Sequence, residues 1–231
     1  MIAASDFLKK QLSFPRVRET QLLHEDSLRA LLYESGLSYP TEKLYLRAFK
    51  LEQMLEVWGA DDDSFHLIKT HAFTSSSGNP GPKQREGDRQ IPEGFYHITH
   101  FNPESRYHLS LRLNYPNRAD AARNKKETHS GGDIYIHGGV ETVGCIPIGD
   151  DNIAELYWLC VQSYTINPCI PVHIFPCVME AKTLSGMYRQ HPEYIDFWNS
   201  MEPMYHYFQK HKTLTDLMGC DEFGNYTPGF S

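Results

Sequence analysis

A histidine and a cysteine, His137 and Cys145, lie close together in the stretch 133–151. Apolar residues alternate with them on either side, which predicts two short strands with His137 and Cys145 on their polar faces. The glycine pair 138–139 between them favours a tight turn. A thiol with an ordinary pKa of ~8.5 is mostly protonated at neutral pH, and a neighbouring imidazole can accept its proton or stabilise its thiolate. The spacing therefore predicts a thiol nucleophile beside its base.

Gly144 directly precedes the cysteine, and we expect it to serve the same chemistry. Because glycine has no side chain, the backbone can approach a substrate carbonyl closely at this position. The amides of Gly144 and Cys145 could then bind the negative charge that develops on the carbonyl oxygen. The alternative interpretation is that the histidine and the cysteine only fill the core between two strands.

The stretch resembles the catalytic motif of the L,D-transpeptidase (YkuD-like) family, in which His-Gly is followed by Ser/Thr-x-Gly-Cys. The matching residues here are His137-Gly138 and Thr142-Val143-Gly144-Cys145. The resemblance covers about 44–176. It includes the segment 80–96, and the segments 102–110 and 114–117 are similar to the YafK-like branch of the family. The sequence departs from the family pattern at Val143, where a second histidine is usual, and at Pro147, where Asn or Arg is common.

The resemblance implies an α+β fold, with a mostly antiparallel sheet or sandwich of the L,D-transpeptidase type and flanking helices at both ends. It implies that Cys145 is the nucleophile and His137 its general base, with a backbone carbonyl orienting the imidazole. The implied substrate is a peptidoglycan stem peptide containing diaminopimelate, whose L-centre carbonyl forms a thioester with the cysteine. Neither a metal nor an organic cofactor is implied.

Three functions remain open at this stage. Release of the thioester by water would make the protein an amidase that frees a peptide or lipoprotein from peptidoglycan. Release by an amine would make it a transpeptidase that forms cross-links or attaches lipoprotein. A cell-wall-binding module with an inert cysteine is the third possibility. The altered residues Val143 and Pro147 favour hydrolysis, because they leave fewer polar groups to receive a second peptide.

Basic residues are the expected ligands for the carboxylates of a stem peptide, since charged donors bind carboxylates well. We expect Arg123 to serve this purpose, together with Lys83 and Arg85 from the long polar loop 74–93. Tyr115 and Thr142, from the segments that carry the family resemblance, complete the predicted substrate-binding set. A loop of this length inside a compact domain is usually functional or disordered.

The length of 231 residues suits one domain with extensions. We predict an N-terminal helical extension at 1–40, a catalytic domain at 41–177 and a C-terminal helical extension at 178–231. The net charge of −7 argues against a non-specific nucleic-acid binder. No apolar run is long enough for a membrane span, and the first eleven residues contain no apolar signal-peptide core. We nevertheless expect a periplasmic or otherwise exported protein, given as its mature form.

Local patterns predict the elements that must position these residues. A helix is predicted at 17–35, and another that begins at 150–152, with Asn152 and Glu155 forming a capping box. Two or three helices should follow the last strand. The predicted strands lie at 43–49, 54–58, 65–71, 95–101, 107–115 and 171–175, and the late helices at 178–188, 193–200 and 204–217. Five cysteines leave both disulfides and free thiols open.

Overall fold

A computed structural model describes residues 4–125 and 129–229 of the chain. In these ranges an eight-stranded sheet is covered by helices on both sides, and a two-stranded hairpin follows near the C-terminus. The helices are α1 Ala4–Leu12, α2 Pro15–Glu34, α3 Arg118–Arg123, α4 Asp150–Tyr164, α5 Ala181–Gln190 and α6 Ile195–His211, and a single 3-10 turn covers Pro192–Tyr194. The strands are β1 Lys43–Phe49, β2 Met54–Ala60, β3 His66–Ala72, β4 Gly94–Asn102, β5 Ser110–Leu113, β6 Tyr135–His137, β7 Ile146–Pro147 and β8 Pro171–Phe175, with β9 Leu217–Cys220 and β10 Tyr226–Pro228 in the hairpin.

The order of strands in the large sheet is β3-β2-β1-β8-β4-β5-β6-β7. Its pairs are antiparallel except β1 with β8 and β6 with β7, which are parallel. The predicted α+β class with a mostly antiparallel sheet is therefore confirmed. The strands that carry His137 and the residue after Cys145 lie at one edge of the sheet.

Helices α1, α2 and α4 cover one face of the sheet and share its main core. Val17, Leu28 and Leu32 of α2 are fully buried in the same cluster as Trp158 of α4. Burial of such large apolar side chains is the main favourable term in folding. The segment 1–40 therefore contributes to the core of the sheet, although its predicted status as a separate extension stays a prediction.

Helices α5 and α6 and the β9–β10 hairpin form a second core on the other face. Phe49, Phe95 and Phe175 of the sheet pack there against Trp198 and Tyr226. The predicted boundaries at 41–177 and 178–231 likewise stay predictions. In the described ranges, no helix has both the length and the apolar character that a membrane span requires.

The structure corrects several predicted elements. Helix α1 and the hairpin β9–β10 were not predicted, and the strand predicted at 107–115 covers only Ser110–Leu113. The helices predicted at 193–200 and 204–217 form the single helix α6, which continues through Pro203. The buried face on both sides of that proline outweighs the loss of one backbone hydrogen bond.

The predicted capping box at Asn152 and Glu155 is wrong. Helix α4 begins one turn earlier than that motif requires, with Gly149 as its N-cap and no side-chain cap. The Asn152 side chain donates to the carbonyl of Ile148, and Glu155 pairs with Lys69 of β3. A local contact of Asn152 and a tertiary contact of Glu155 thus replace the capping interaction.

Candidate active site

The pairing of β6 with β7 brings His137 and Cys145 together. Ile136 lies opposite Ile146 and His137 opposite Pro147, so Cys145 continues the register opposite Tyr135. Because side chains alternate along a strand, His137, Tyr135 and Cys145 face the same side. They line one pocket of about 290 Å³ together with Asn102, Ser105, Arg106, Tyr107, Ser110 and Asp133.

The imidazole of His137 is held in one orientation. Its Nδ1 lies 2.6 Å from the carbonyl oxygen of Gly138, to which it donates, so Nε2 is the unprotonated nitrogen. The ring of Tyr107 stacks on it with centroids 4.6 Å apart. Burial lowers the pKa of His137 below its ordinary 6.5, and the bond to Gly138 opposes that shift. The resting imidazole is therefore neutral and able to accept a proton.

The thiol of Cys145 is protonated in the resting site. Its Sγ lies 3.6 Å from the carbonyl oxygen of Asp133, to which it donates. Burial raises the pKa of the Cys145 thiol above 9.0. The backbone N–H of Tyr135 and the charge of Lys83 act in the opposite direction, and the charge of Asp133 adds to the rise. This arrangement suits deprotonation by a base during attack rather than a preformed thiolate.

The two amides expected to bind the developing oxyanion are both engaged. The N–H of Gly144 donates to Ser77 Oγ at 2.8 Å, and the N–H of Cys145 donates to Thr142 Oγ1 at 3.0 Å. Either amide could bind an oxyanion only after its internal hydrogen bond is broken. The sequence could not show this, because Ser77 is far away along the chain.

The long loop 74–93 is fastened to the turn that carries the cysteine. The hydroxyls of Thr74 and Ser75 donate to the carbonyls of Gly139 and Val140. Gly144 has a φ of +98°, and a Cβ there would lie 2.8 Å from the Gln90 carbonyl oxygen. Glycine is therefore required at 144 by the backbone conformation and by the loop packed against it.

The predicted substrate-binding residues do not gather at the pocket. Lys83 is buried in the loop, where its Nζ contacts Asp88 Oδ1 at 2.6 Å, although its charge reaches the thiol. The backbone N–H of Arg85 donates to the same carboxylate, and its exposed side chain does not line the pocket. Tyr115 is buried and donates to the carbonyl of Ser130.

Arg123 lies in a separate, largely buried contact. Its guanidinium is 3.2 Å from Asp120 Oδ1, donates to the carbonyl of Gly224 and covers the ring of Phe197 at 3.7 Å. It thereby joins α3 to the C-terminal hairpin and α6. Thr142 does lie at Cys145, where its hydroxyl accepts from the N–H and donates to the carbonyl of that residue.

Several pocket residues were missed by sequence reasoning, among them Arg106, Tyr107, Ser110 and Asp133. Arg112, which forms an ion pair with Asp133, was missed as well. Ser110 pairs with His137 and Arg112 with Tyr135, so both lie on the face that carries the site. The strict alternation of β5 could have revealed this, had its pairing with β6 been known. Within the described ranges, no three His, Cys, Asp or Glu residues are placed to hold a metal ion.

Comparison with known proteins identifies the family of this chain. Residues 49–174 match the family model described as "L,D-transpeptidase catalytic domain" (YkuD). The chain belongs to this family. It is 30% identical over 198 residues to "Putative L,D-transpeptidase YafK" of Escherichia coli (strain K12), a match that covers 80% of this chain and 78% of that protein. Members of the family act on peptidoglycan stem peptides.

Solved structures that align with this chain are less similar to it in sequence. The cell-shape protein Pgp2 of Campylobacter jejuni (K307A mutant) aligns with a TM-score of 0.47 at 19% identity, over 75% of this chain and 65% of that chain. Bd1075 of Bdellovibrio bacteriovorus aligns with a TM-score of 0.43 at 18% identity, over 74% and 64%. This chain thus spans just under two thirds of each of these solved structures.

Proposed function

We propose that the protein is a cysteine-dependent enzyme that modifies peptidoglycan through a thioester on the L-centre of diaminopimelate. Cys145 is the nucleophile and His137 its general base. The supporting observation is that both side chains line one pocket, with His137 Nδ1 bonded to the Gly138 carbonyl and Nε2 left as an acceptor. An exported location, suggested by the family, would place the enzyme with this substrate.

The proposed reaction runs in two halves. As Cys145 Sγ attacks the carbonyl carbon, His137 Nε2 takes the thiol proton. When the tetrahedral intermediate collapses, His137 returns that proton to the leaving amine, and a thioester remains on Cys145. In the second half the imidazole takes a proton from water or from an acceptor amine as that group attacks the thioester, and the proton returns to the sulfur as the thioester breaks.

Hydrolysis is the outcome that we propose, with release of a peptide or lipoprotein attached to diaminopimelate. A transpeptidase must hold an acceptor amine beside the thioester and restrict water there. The pocket of about 290 Å³ is small for two peptides, Val143 is 63% exposed and apolar, and Pro147 is buried in β7. Loop 74–93 is fastened by Thr74 and Ser75 to the turn that precedes Cys145.

Transpeptidation is the alternative, and the printed name of the Escherichia coli relative favours it. The two outcomes share the nucleophile, the base and the thioester. They differ only in whether water or an amine reaches the acyl group, so the products of one reaction mixture separate them.

The test is to incubate the purified protein with a tetrapeptide donor, a lipoprotein-linked muropeptide and excess amine acceptor, followed by mass spectrometry. We expect the linked muropeptide to be cleaved and few new cross-links to form. Predominant cross-linking with the linked muropeptide intact would support transpeptidation instead. Cys145→Ala should abolish turnover with unchanged circular dichroism, whereas Cys169→Ala, at an exposed thiol, serves as the matched control. Full activity in Cys145→Ala would refute the assignment of the nucleophile.

A further inference from the structure

An exposed ion pair stands beside the nucleophile. Arg112 Nη2 lies 3.1 Å from Asp133 Oδ1, and the two side chains are 43% and 76% exposed. Arg112 pairs with Tyr135, which Cys145 faces across the β6–β7 ladder. The guanidinium therefore lies on the same face of the sheet as the thiol.

Asp133 links this ion pair to the reacting sulfur. Its backbone carbonyl accepts from Cys145 Sγ, while its carboxylate contacts Arg112 and accepts from the hydroxyl of Tyr135 at 3.4 Å. Asp133 also lines the pocket. One residue thus places a carboxylate a short distance from the sulfur, with a guanidinium beside it.

Stability does not account for this arrangement. Exposed ion pairs contribute about 0–1 kcal/mol. Arg112 Nε is buried with no hydrogen-bond partner among the described residues, which is unfavourable. Asp133 has a φ of +54°, in the left-handed region that L-residues seldom adopt. Such local costs are concentrated at functional sites.

We propose that Arg112 and Asp133 form a subsite for the amino-acid zwitterion at the D-centre of diaminopimelate. The proposal rests on the function proposed above. The D-centre carboxylate is bound by the planar guanidinium of Arg112, and its ammonium group by the carboxylate of Asp133. When the ligand binds, the ion pair between Arg112 and Asp133 is replaced by one ion pair from each side chain to the ligand. No charge is then left unpaired.

The shape of the substrate agrees with this placement. A short aliphatic chain separates the L-centre carbonyl from the D-centre, and the Asp133 residue spans from the thiol to the ion pair. A second exposed pair at the pocket, Arg106 with Glu141, is longer at 4.0 Å, and its arginine is more exposed than Arg112. Its arginine lies over the ring of Tyr107, which stacks on His137.

Turnover of matched substrates tests the subsite. Three linked muropeptides are compared: one with diaminopimelate, one with its D-centre carboxylate amidated, and one with lysine, which keeps the ammonium group and lacks the carboxylate. We expect kcat/KM to be about 10- to 100-fold higher for diaminopimelate than for either analogue, as charge-assisted hydrogen bonds predict. Arg112→Gln should remove this preference, while Arg106→Gln should leave the ratio unchanged. An undiminished ratio in Arg112→Gln would overturn the proposal.

A binding measurement separates failure of the subsite from failure of the proposed function. Calorimetry with free meso-diaminopimelate and with free lysine is done on Cys145→Ala, which needs no turnover. Diaminopimelate should bind more tightly than lysine, and adding Arg112→Gln or Asp133→Asn should weaken its binding about 10-fold or more. Equal binding of the two amino acids overturns the subsite even if turnover is observed. Selective binding without turnover supports the subsite and counts against the proposed reaction.

Discussion

The hydroxyl of Thr142 closes a ring with the backbone of Cys145: it accepts from the N–H at 3.0 Å and donates to the carbonyl oxygen at 2.7 Å. This double contact fixes the peptide units on both sides of Cys145, the proposed nucleophile. Small displacements of a reacting group are costly to the rate, because the attack geometry is narrow. Thr142 is therefore a positioning residue for the sulfur.

Thr142→Val, which removes both hydrogen bonds at nearly constant volume, should lower kcat/KM by about 10- to 100-fold. Thr142→Ser keeps the hydroxyl and should restore most of the activity. The measurement is steady-state kinetics of both variants, with circular dichroism as the check on folding. Wild-type activity in Thr142→Val, or a loss confined to Thr142→Ser, would show that the hydroxyl does not position the sulfur.

Gly144→Ala should destabilise the protein and reduce its activity. The new Cβ would meet the Gln90 carbonyl at 2.8 Å, and the φ of +98° is itself unfavourable for alanine. Together these effects should cost about 2–3 kcal/mol of unfolding free energy. Gly87→Ala is the matched control, because its φ of +74° is also positive but nothing lies within 4 Å of the added Cβ. Chemical denaturation should show a loss of about 1 kcal/mol of unfolding free energy in the control. Equal losses in the two variants would show that the contact with Gln90 does not contribute.

The pH dependence of kcat/KM should follow from a neutral imidazole and a neutral thiol. Burial lowers the pKa of His137 below 6.5, so the active base is lost only as the pH falls through that lower pKa. Burial raises the pKa of the Cys145 thiol above 9.0, so thiol ionisation does not affect the neutral range. The profile should show an acidic limb with its midpoint below 6.5 and a plateau to above 9.0. A preformed thiolate–imidazolium pair would instead lose activity as the pH rose through a raised His137 pKa, which rate measurements across this range would detect.

Arg123→Gln should reduce stability rather than substrate affinity. The guanidinium contacts the carboxylate of Asp120, which is fully buried. Burial raises the pKa of Asp120, and the charge of Arg123 opposes that rise. Removing one partner of a buried pair should cost about 3 kcal/mol. Arg118→Gln, at an exposed position of the same helix, should change stability by less than about 0.5 kcal/mol. Thermal unfolding and KM are measured for both variants. A raised KM with unchanged stability in Arg123→Gln would show that Arg123 binds substrate.

Local pattern in the sequence determined much of the fold. The β-like stretches at 43–49 and 171–175 predicted β1 and β8 with their observed bounds, and the motif at 137–145 indicated the family. Strand alternation and glycine turns act over a few residues, so they can be inferred without knowledge of distant partners. Element ends were less well predicted where a distant contact competed, as at Glu155, which pairs with Lys69 instead of capping α4.

Only the tertiary structure decided which groups surround the sulfur. The N–H of Gly144 donates to the hydroxyl of Ser77, which lies 67 residues earlier in the chain. Arg123, basic and close in sequence to the motif, is turned to Asp120, whereas Arg112 reaches the site through the pairing of β5 with β6. The physical reason is that buried charges and backbone amides must find partners, and those partners come from whichever elements the sheet brings alongside. Residue type and spacing therefore identified the nucleophile and base as candidates, and strand pairing decided their neighbours.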